Sequence, residues 1–205
     1  MSLLPPIILP PDMLEKLPPE LRIITPYVNS LRNTITNLLG SNEDDFEDKY
    51  TQTKMEFLKG MVQVGLAIKD RKDFAKQLGE AYSSFYSQLE DRLSQEKRLG
   101  DPTVLAIINA NEILLDFFNL ALNPNVNISV PEYAPAFDPY LDLTVCLSTL
   151  VQAIENRREA GYERNLTKLT QRCQENTWKL ESYVETIEIE TDPEQKAILE
   201  RVKGK

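Results

Sequence analysis

Histidine is absent from this chain. That removes the commonest general base near neutral pH. With it go Ser-His-Asp and Cys-His nucleophile activation, the His-Glu-x-x-His zinc site and the Glu-x-x-His di-iron pattern of bundle enzymes. Glycine is scarce, at 7 of 205 residues, and no Walker A loop or GxGxxG fingerprint is present. No catalytic residue, no metal ligand set and no cofactor is therefore expected, and an enzyme is not the favoured class.

Cysteine is nearly absent too. Cys146 and Cys173 are the only two, and they form neither a Cys-x-x-Cys motif nor a disulfide framework. A reducing compartment, and so a cytoplasmic location, is the expectation. Both fall on apolar helix faces, where a free cysteine behaves as a core residue. Positive charge is in deficit, with 23 Lys and Arg against 32 Asp and Glu and a net charge of −9. Nucleic acid and anionic lipid are disfavoured as partners on that ground. No apolar run is long enough for a membrane span, and prolines interrupt the N-terminus too often for a signal peptide. Asn127-Ile128-Ser129 and Asn165-Leu166-Thr167 match the glycosylation pattern at a frequency expected by chance.

What the sequence has in quantity is helical punctuation. Gly40-Ser41 reads as a helix end followed by a new start, with Asp44 three residues on. Leu99-Gly100-Asp101-Pro102 is a stop and restart, in which Asp101 is the N-cap and Pro102 the first helical position. Asp138-Pro139 and Asp192-Pro193 repeat the start signal. Between these marks apolar residues recur at helical spacing. Phe46, Tyr50, Phe57, Met61, Val64 and Ile68 form one face. Phe74, Leu78, Ala81, Phe85 and Leu89 form another, widened by Tyr82, Tyr86 and Leu93. Tyr162, Leu166, Leu169, Cys173, Leu180, Tyr183 and Ile187 form a third. The near-heptad rhythm of this third face suits packing within the bundle, and leaves a homodimer possible.

A single helix from Asp44 to Leu99 would be about 80 Å long, too long for a compact domain of this size. A break is expected near Lys69–Asp73, and another near Gly161. A proline-rich loop is expected over 123–139, with one short extended segment, Asn125 to Val130, inside it. The fold class is thus all-α: an up-and-down antiparallel helical bundle of about six helices with a proline-rich extended N-terminal arm. The expected division is an apolar arm over 1–17, the bundle over 18–188, and a short C-terminal helix and tail over 189–205.

Four places invite a functional reading. The acidic stretch Ser41–Tyr50 lacks the mid-loop glycine of a calcium loop and places Phe46 where a ligand is needed. It reads better as carboxylates at a helix N-terminus. On the helix 102–122, apolar over most of its circumference and so expected at the centre, Asn109, Glu112, Asp116 and Asn119 make one narrow polar stripe. It is either a solvent face or the lining of a ligand or cation site, where a buried carboxylate would need a partner. Trp178 falls off the main apolar face of its helix and is a candidate partner anchor. Ile7, Ile8 and Leu9, set among prolines, either strap the core or reach for a partner. The functional expectation is a non-enzymatic helical protein working through contacts with another protein, as an adaptor, assembly factor or regulatory subunit. The alternative is a ligand- or cation-binding bundle, or a histidine-free enzyme, using the 102–122 stripe.

Overall fold

A computed structural model describes residues 9, 11–68, 72–95, 101–122, 130–155, 165–184 and 200–201. Leu9 enters the hydrophobic core in a non-helical conformation. The short helix α1, Pro11–Lys16, follows, with proline at its first position, where a missing N–H costs nothing. Arg22 holds the end of α1: its Nε donates to the Leu17 carbonyl at 3.0 Å and a terminal nitrogen to that of Glu15 at 2.8 Å. A 3-10 turn, Leu21–Ile24, runs directly into α2, Thr25–Leu39, with Pro26 in its first turn.

The chain then runs through α3, Phe46–Ile68, α4, Lys72–Gln95, α5, Pro102–Leu122, α6, Val130–Glu155, and α7, Leu166–Val184. The breaks expected near Lys69–Asp73 and near Gly161 fall mostly on 69–71 and 156–164, which lie outside the described residues; α3 and α4, and α6 and α7, are separate helices on either side of those stretches. Among the described residues there are no strands.

Cross-contacts fix the directions. Tyr50 meets Cys146 while Lys54, one turn on, meets Asp138, so α3 and α6 are antiparallel. Thr103 bonds Thr170 at 3.0 Å and the Cys173 thiol donates to the Ala106 carbonyl at 3.6 Å. That constant register makes α5 and α7 parallel, and α6 lies between them in sequence with the opposite sense. The up-and-down order follows. The three apolar faces read from sequence converge in one core, which takes Phe46, Phe57, Val64, Leu78, Tyr82, Leu89, Leu169, Cys173 and Leu180. Ile68, Tyr162 and Ile187 lie outside the side chains described.

Three expectations are corrected. The first concerns α6, which begins at Val130 and runs straight through Asp138-Pro139. Prolines 131, 135 and 139 stand four apart, so the donor missing at each of the last two would have bonded the carbonyl of the preceding proline. The loss is thus confined to one line along the first turns. Residues 123–129, with most of the expected extended segment, lie outside the described residues, as does Asp192-Pro193.

Second, the central helix is α6, not α5. From Pro139 to Ile154 almost every α6 residue is buried. Its polar residues disguise this, because Thr144 and Thr149 turn their hydroxyls back onto the carbonyls of Tyr140 and Val145, at 2.8 and 2.7 Å. By contrast Leu105 and Asn109 of α5 face solvent.

Third, α3 starts four residues later than the Ser41 signal. Asn42 Oδ1 accepts the Asp45 N–H at 2.8 Å, closing a turn over Glu43–Asp45 ahead of the helix. Ser41 serves the helix behind it, donating to the Leu38 carbonyl at 2.7 Å. Asn165 is buried, in agreement with its glycosylation match being a chance one. Its amide donates to the carbonyls of Leu38 and Ser41, satisfying the end of α2 from the start of α7.

Candidate functional site

Among the described residues, a dense polar cluster lies where α3, α6 and α7 meet. On α6, Asp138, Asp142 and Cys146 stand at intervals of four and share one face. On α3, Tyr50 and Lys54 do the same. Antiparallel packing interleaves them. Lys54 Nζ lies 2.7 Å from Asp138 Oδ1 and 2.8 Å from Asp142 Oδ2. The Tyr50 hydroxyl is 3.0 Å from Asp142 Oδ1 and 3.0 Å from Cys146 Sγ. A phenol has one proton, and the carboxylate cannot donate one, so the Cys146 S–H is left to donate to the phenol oxygen. From α7, Arg172 pairs with Glu47 and lays its guanidinium over the Tyr50 ring, 4.3 Å from the centroid. Lys168 sits over Phe46 at 5.3 Å and pairs with Glu43 at 3.8 Å.

The electrostatics keep every proton in place. Burial, reinforced by Cys146 and Asp142, pushes the Tyr50 phenol far above its ordinary value. Burial pushes the Cys146 thiol up to about 12, against the opposing pull of the Tyr50 hydrogen bond. For Lys54, burial acts to lower the pKa, but the hydrogen bonds and charges of Asp138 and Asp142 outweigh it and raise it. Cys173 is also pushed well above its usual value by burial. A nucleophilic cysteine needs the opposite environment, electropositive and partly exposed. The cluster is therefore a clamp between three helices. Among the described residues, no group of cysteine and carboxylate side chains could hold a metal ion.

The α5 stripe divides along its length. Asn109 is exposed, Glu112 half-buried and Asp116 buried. The partner that a buried carboxylate requires comes from the chain itself, because Arg201 pairs with Asp116. The Asn119 side chain lies outside those described. A cleft between α4 and α5, lined by Tyr86, Leu89, Leu93, Ile107 and Asn111, is too narrow to admit a water-sized sphere.

Of the N-terminal candidates, Ile7 and Ile8 lie outside the described residues, and Leu9 is fully buried in the core. Trp178 stands out from α7 with 67% of its surface exposed.

One surface was missed by the sequence reading. Met55, Val62 and Leu66 are exposed by 49, 39 and 69%, and lie on the side of α3 opposite Phe57 and Val64. Spacings of seven and four put them in one line on a helix. The signal was legible, since α3 carries two apolar lines, but only the stronger was read. Ile23, on the 3-10 turn that also packs against α3, is half exposed as well.

Comparison with family models, curated proteins and solved structures returns no match for this chain. Among the described residues, no helix is long and apolar enough to cross a membrane.

Proposed function

We propose that this is a non-enzymatic helical-bundle protein that works through contacts with another protein, as an adaptor, assembly factor or regulatory subunit. The observation that carries the reading is the exposed apolar line Met55–Val62–Leu66. A rigid helix that already gives one face to the core presents a second apolar face outward, the kind of patch a soluble protein keeps for a partner. Trp178 adds an exposed aromatic of the type enriched at interface anchors. The proton-retaining clamp of Tyr50, Lys54, Asp142 and Cys146 argues against nucleophilic or acid–base work there, and the net charge of −9 argues against nucleic acid. Two unpaired thiols agree with a reducing, cytoplasmic setting.

The test is affinity capture from the native host with the wild-type chain and with Val62→Glu/Leu66→Glu. Both substitutions sit on the solvent side of α3, so the fold is retained, as an unchanged dichroism spectrum would verify. A partner held by the wild type and lost by the variant is the expected result. Identical capture by the two would overturn the assignment of this face.

A further inference from the structure

We propose that Asp116 on α5 is a binding site for a guanidinium, and that the C-terminal end of the chain closes it as a releasable clasp by placing Arg201 there. The clasp is independent of the exposed α3 line. Leu105, Asn109, Glu112 and Asp116 fall at spacings of four, three and four, along one line of α5. Cover increases along that line: Leu105 and Asn109 are exposed, Glu112 is half-buried and Asp116 is buried. The described residue that reaches Asp116 is Arg201, as an ion pair. The offset of 67 residues that relates Thr103 to Thr170 and Ala106 to Cys173 sets Asp116 level with Tyr183, at the end of α7. Arg201 has therefore come back to the end of the bundle that the chain left at Val184.

The two partners need the pair unequally. The Asp116 side chain keeps 3% of its surface exposed and that of Arg201 59%. A buried carboxylate without a cation is strongly destabilising, whereas an exposed guanidinium returns to water at little cost. Glu200, next to it, is exposed as well, so neither described residue of this segment is anchored by burial. Helix α5 thus requires a cation at Asp116, but not this particular one. A guanidinium suits the place better than an ammonium, since it is more weakly hydrated and can meet a carboxylate through two donors. Tethering to α7 presents Arg201 at an effective concentration on the order of millimolar. An arginine on another protein displaces it by adding a contact that the clasp does not make, and exposed Leu105, on the same line, offers one. The ligand class is accordingly an arginine-bearing segment with an apolar residue about 17 Å from the arginine.

Two measurements on the full chain test the clasp and the site. Asp116→Asn removes the charge without orphaning a buried carboxylate, so the fold is kept. Trypsin is then expected to cleave after Arg201 at least about tenfold faster than in the wild type, while cleavage elsewhere keeps its rate. Equal rates after Arg201 would overturn the clasp. The probe of the site is a fluorescent peptide with the chain's own residues 196–205, KAILERVKGK. It is expected to bind the Arg201→Ala chain at least about tenfold more tightly than the wild type, in which the tethered arginine competes. The gain should vanish when the peptide itself carries Arg201→Ala, or when the chain also carries Asp116→Asn. A peptide that binds both chains equally, or neither, would overturn the site, as would a gain indifferent to Asp116→Asn. If Arg201→Ala unfolds, Arg201→Lys keeps a cation beside Asp116 and should still bind the peptide more tightly than the wild type does; no gain there would overturn the site as well.

Discussion

Three buried tyrosines separate what a hydroxyl does from where it sits. The Tyr50 hydroxyl bonds Asp142 and Cys146, whereas those of Tyr82 and Tyr140 have no hydrogen-bond partner among the described residues. Tyr50→Phe should destabilise the protein by about 1–2 kcal/mol, because it leaves a carboxylate oxygen and a thiol under-satisfied. Tyr82→Phe and Tyr140→Phe should be neutral or stabilising by up to about 1 kcal/mol, since each removes a buried polar atom that gains nothing. Urea unfolding of the three variants checks the contrast, and a uniform loss in all three would refute it. Sequence could not have sorted these residues. Tyr50 differs from the others only through Asp142 and Cys146, which stand 92 and 96 residues away.

The thiols carry a related expectation. Cys146 and Cys173 are fully buried, so a thiol reagent should react with neither in the native protein near neutral pH, and with both once it is unfolded. The pH response follows from Cys146. Its thiol ionises near the ordinary 9.0 in the unfolded chain and near 12 in the folded one. The unfolded state therefore loses its proton first. The stabilisation is complete below about pH 9 and is lost as pH rises towards 12, a trend that the raised values of Tyr50 and Lys54 reinforce. Urea midpoints measured at neutral and alkaline pH should fall only on the alkaline side. A midpoint that rose with alkalinity would contradict the burial of these groups.

At the scale of elements, capping distinguishes what could be read from what could not. The Asp101 signal is local and complete: its side chain accepts the Thr103 N–H at 2.8 Å and Pro102 takes the first position. Asp101→Ala should cost about 1 kcal/mol. Gly40 gave a weaker sign of a helix end, and its φ of −82° and ψ of 0° are right-handed. An added Cβ would meet only the Thr36 carbonyl, at an ordinary 3.5 Å. Gly40→Ala should thus stabilise the protein by about 0.4–1 kcal/mol, by restricting the unfolded chain. A drop in thermal midpoint would mean that this helix end needs freedom the backbone angles do not show. Apolar periodicity was legible for α3, α4 and α7, because each is half exposed and the period marks the boundary. It failed for α6, which from Pro139 to Ile154 has no exposed residue to mark one, and α5 was taken for the centre because its apolar surface is wide. The clamp was half legible. Its intervals of four on α3 and on α6 stand in the sequence, but the packing that joins them does not.

For the whole molecule, the described N-terminal leucines belong to the core. Leu9, Leu14, Leu17, Leu21 and Ile24 are all buried with the helices of the bundle. Deleting residues 1–17 removes three buried leucines, each worth about 1.5–3 kcal/mol, and should lower the thermal midpoint markedly or abolish folding. Deleting only residues 1–8 keeps Leu9 and tests Ile7 and Ile8 separately. If that shorter deletion leaves the midpoint unchanged and removes an interaction, Ile7 and Ile8 are partner residues. Trp178 gives a second whole-molecule readout. As the only tryptophan, 67% exposed, it should report unfolding poorly by fluorescence while dichroism follows it well. A blue shift of its emission on mixing would mark a partner seated over α7.

The central place of α6 also has a consequence during synthesis. The helices α2 and α3 emerge from the ribosome early, with Val28, Leu31, Phe46 and Phe57 ready to be buried. Yet the helix they pack against arrives only after Cys146 has been made, 96 residues beyond Tyr50. At about 5–20 residues per second that interval is roughly 5–20 s. Throughout it the nascent chain shows two unfilled apolar faces and an unanswered lysine, Lys54, whose carboxylate partners do not yet exist. A chain stalled before α6 should be a substrate for chaperones and proteases, while one released after α7 should escape both.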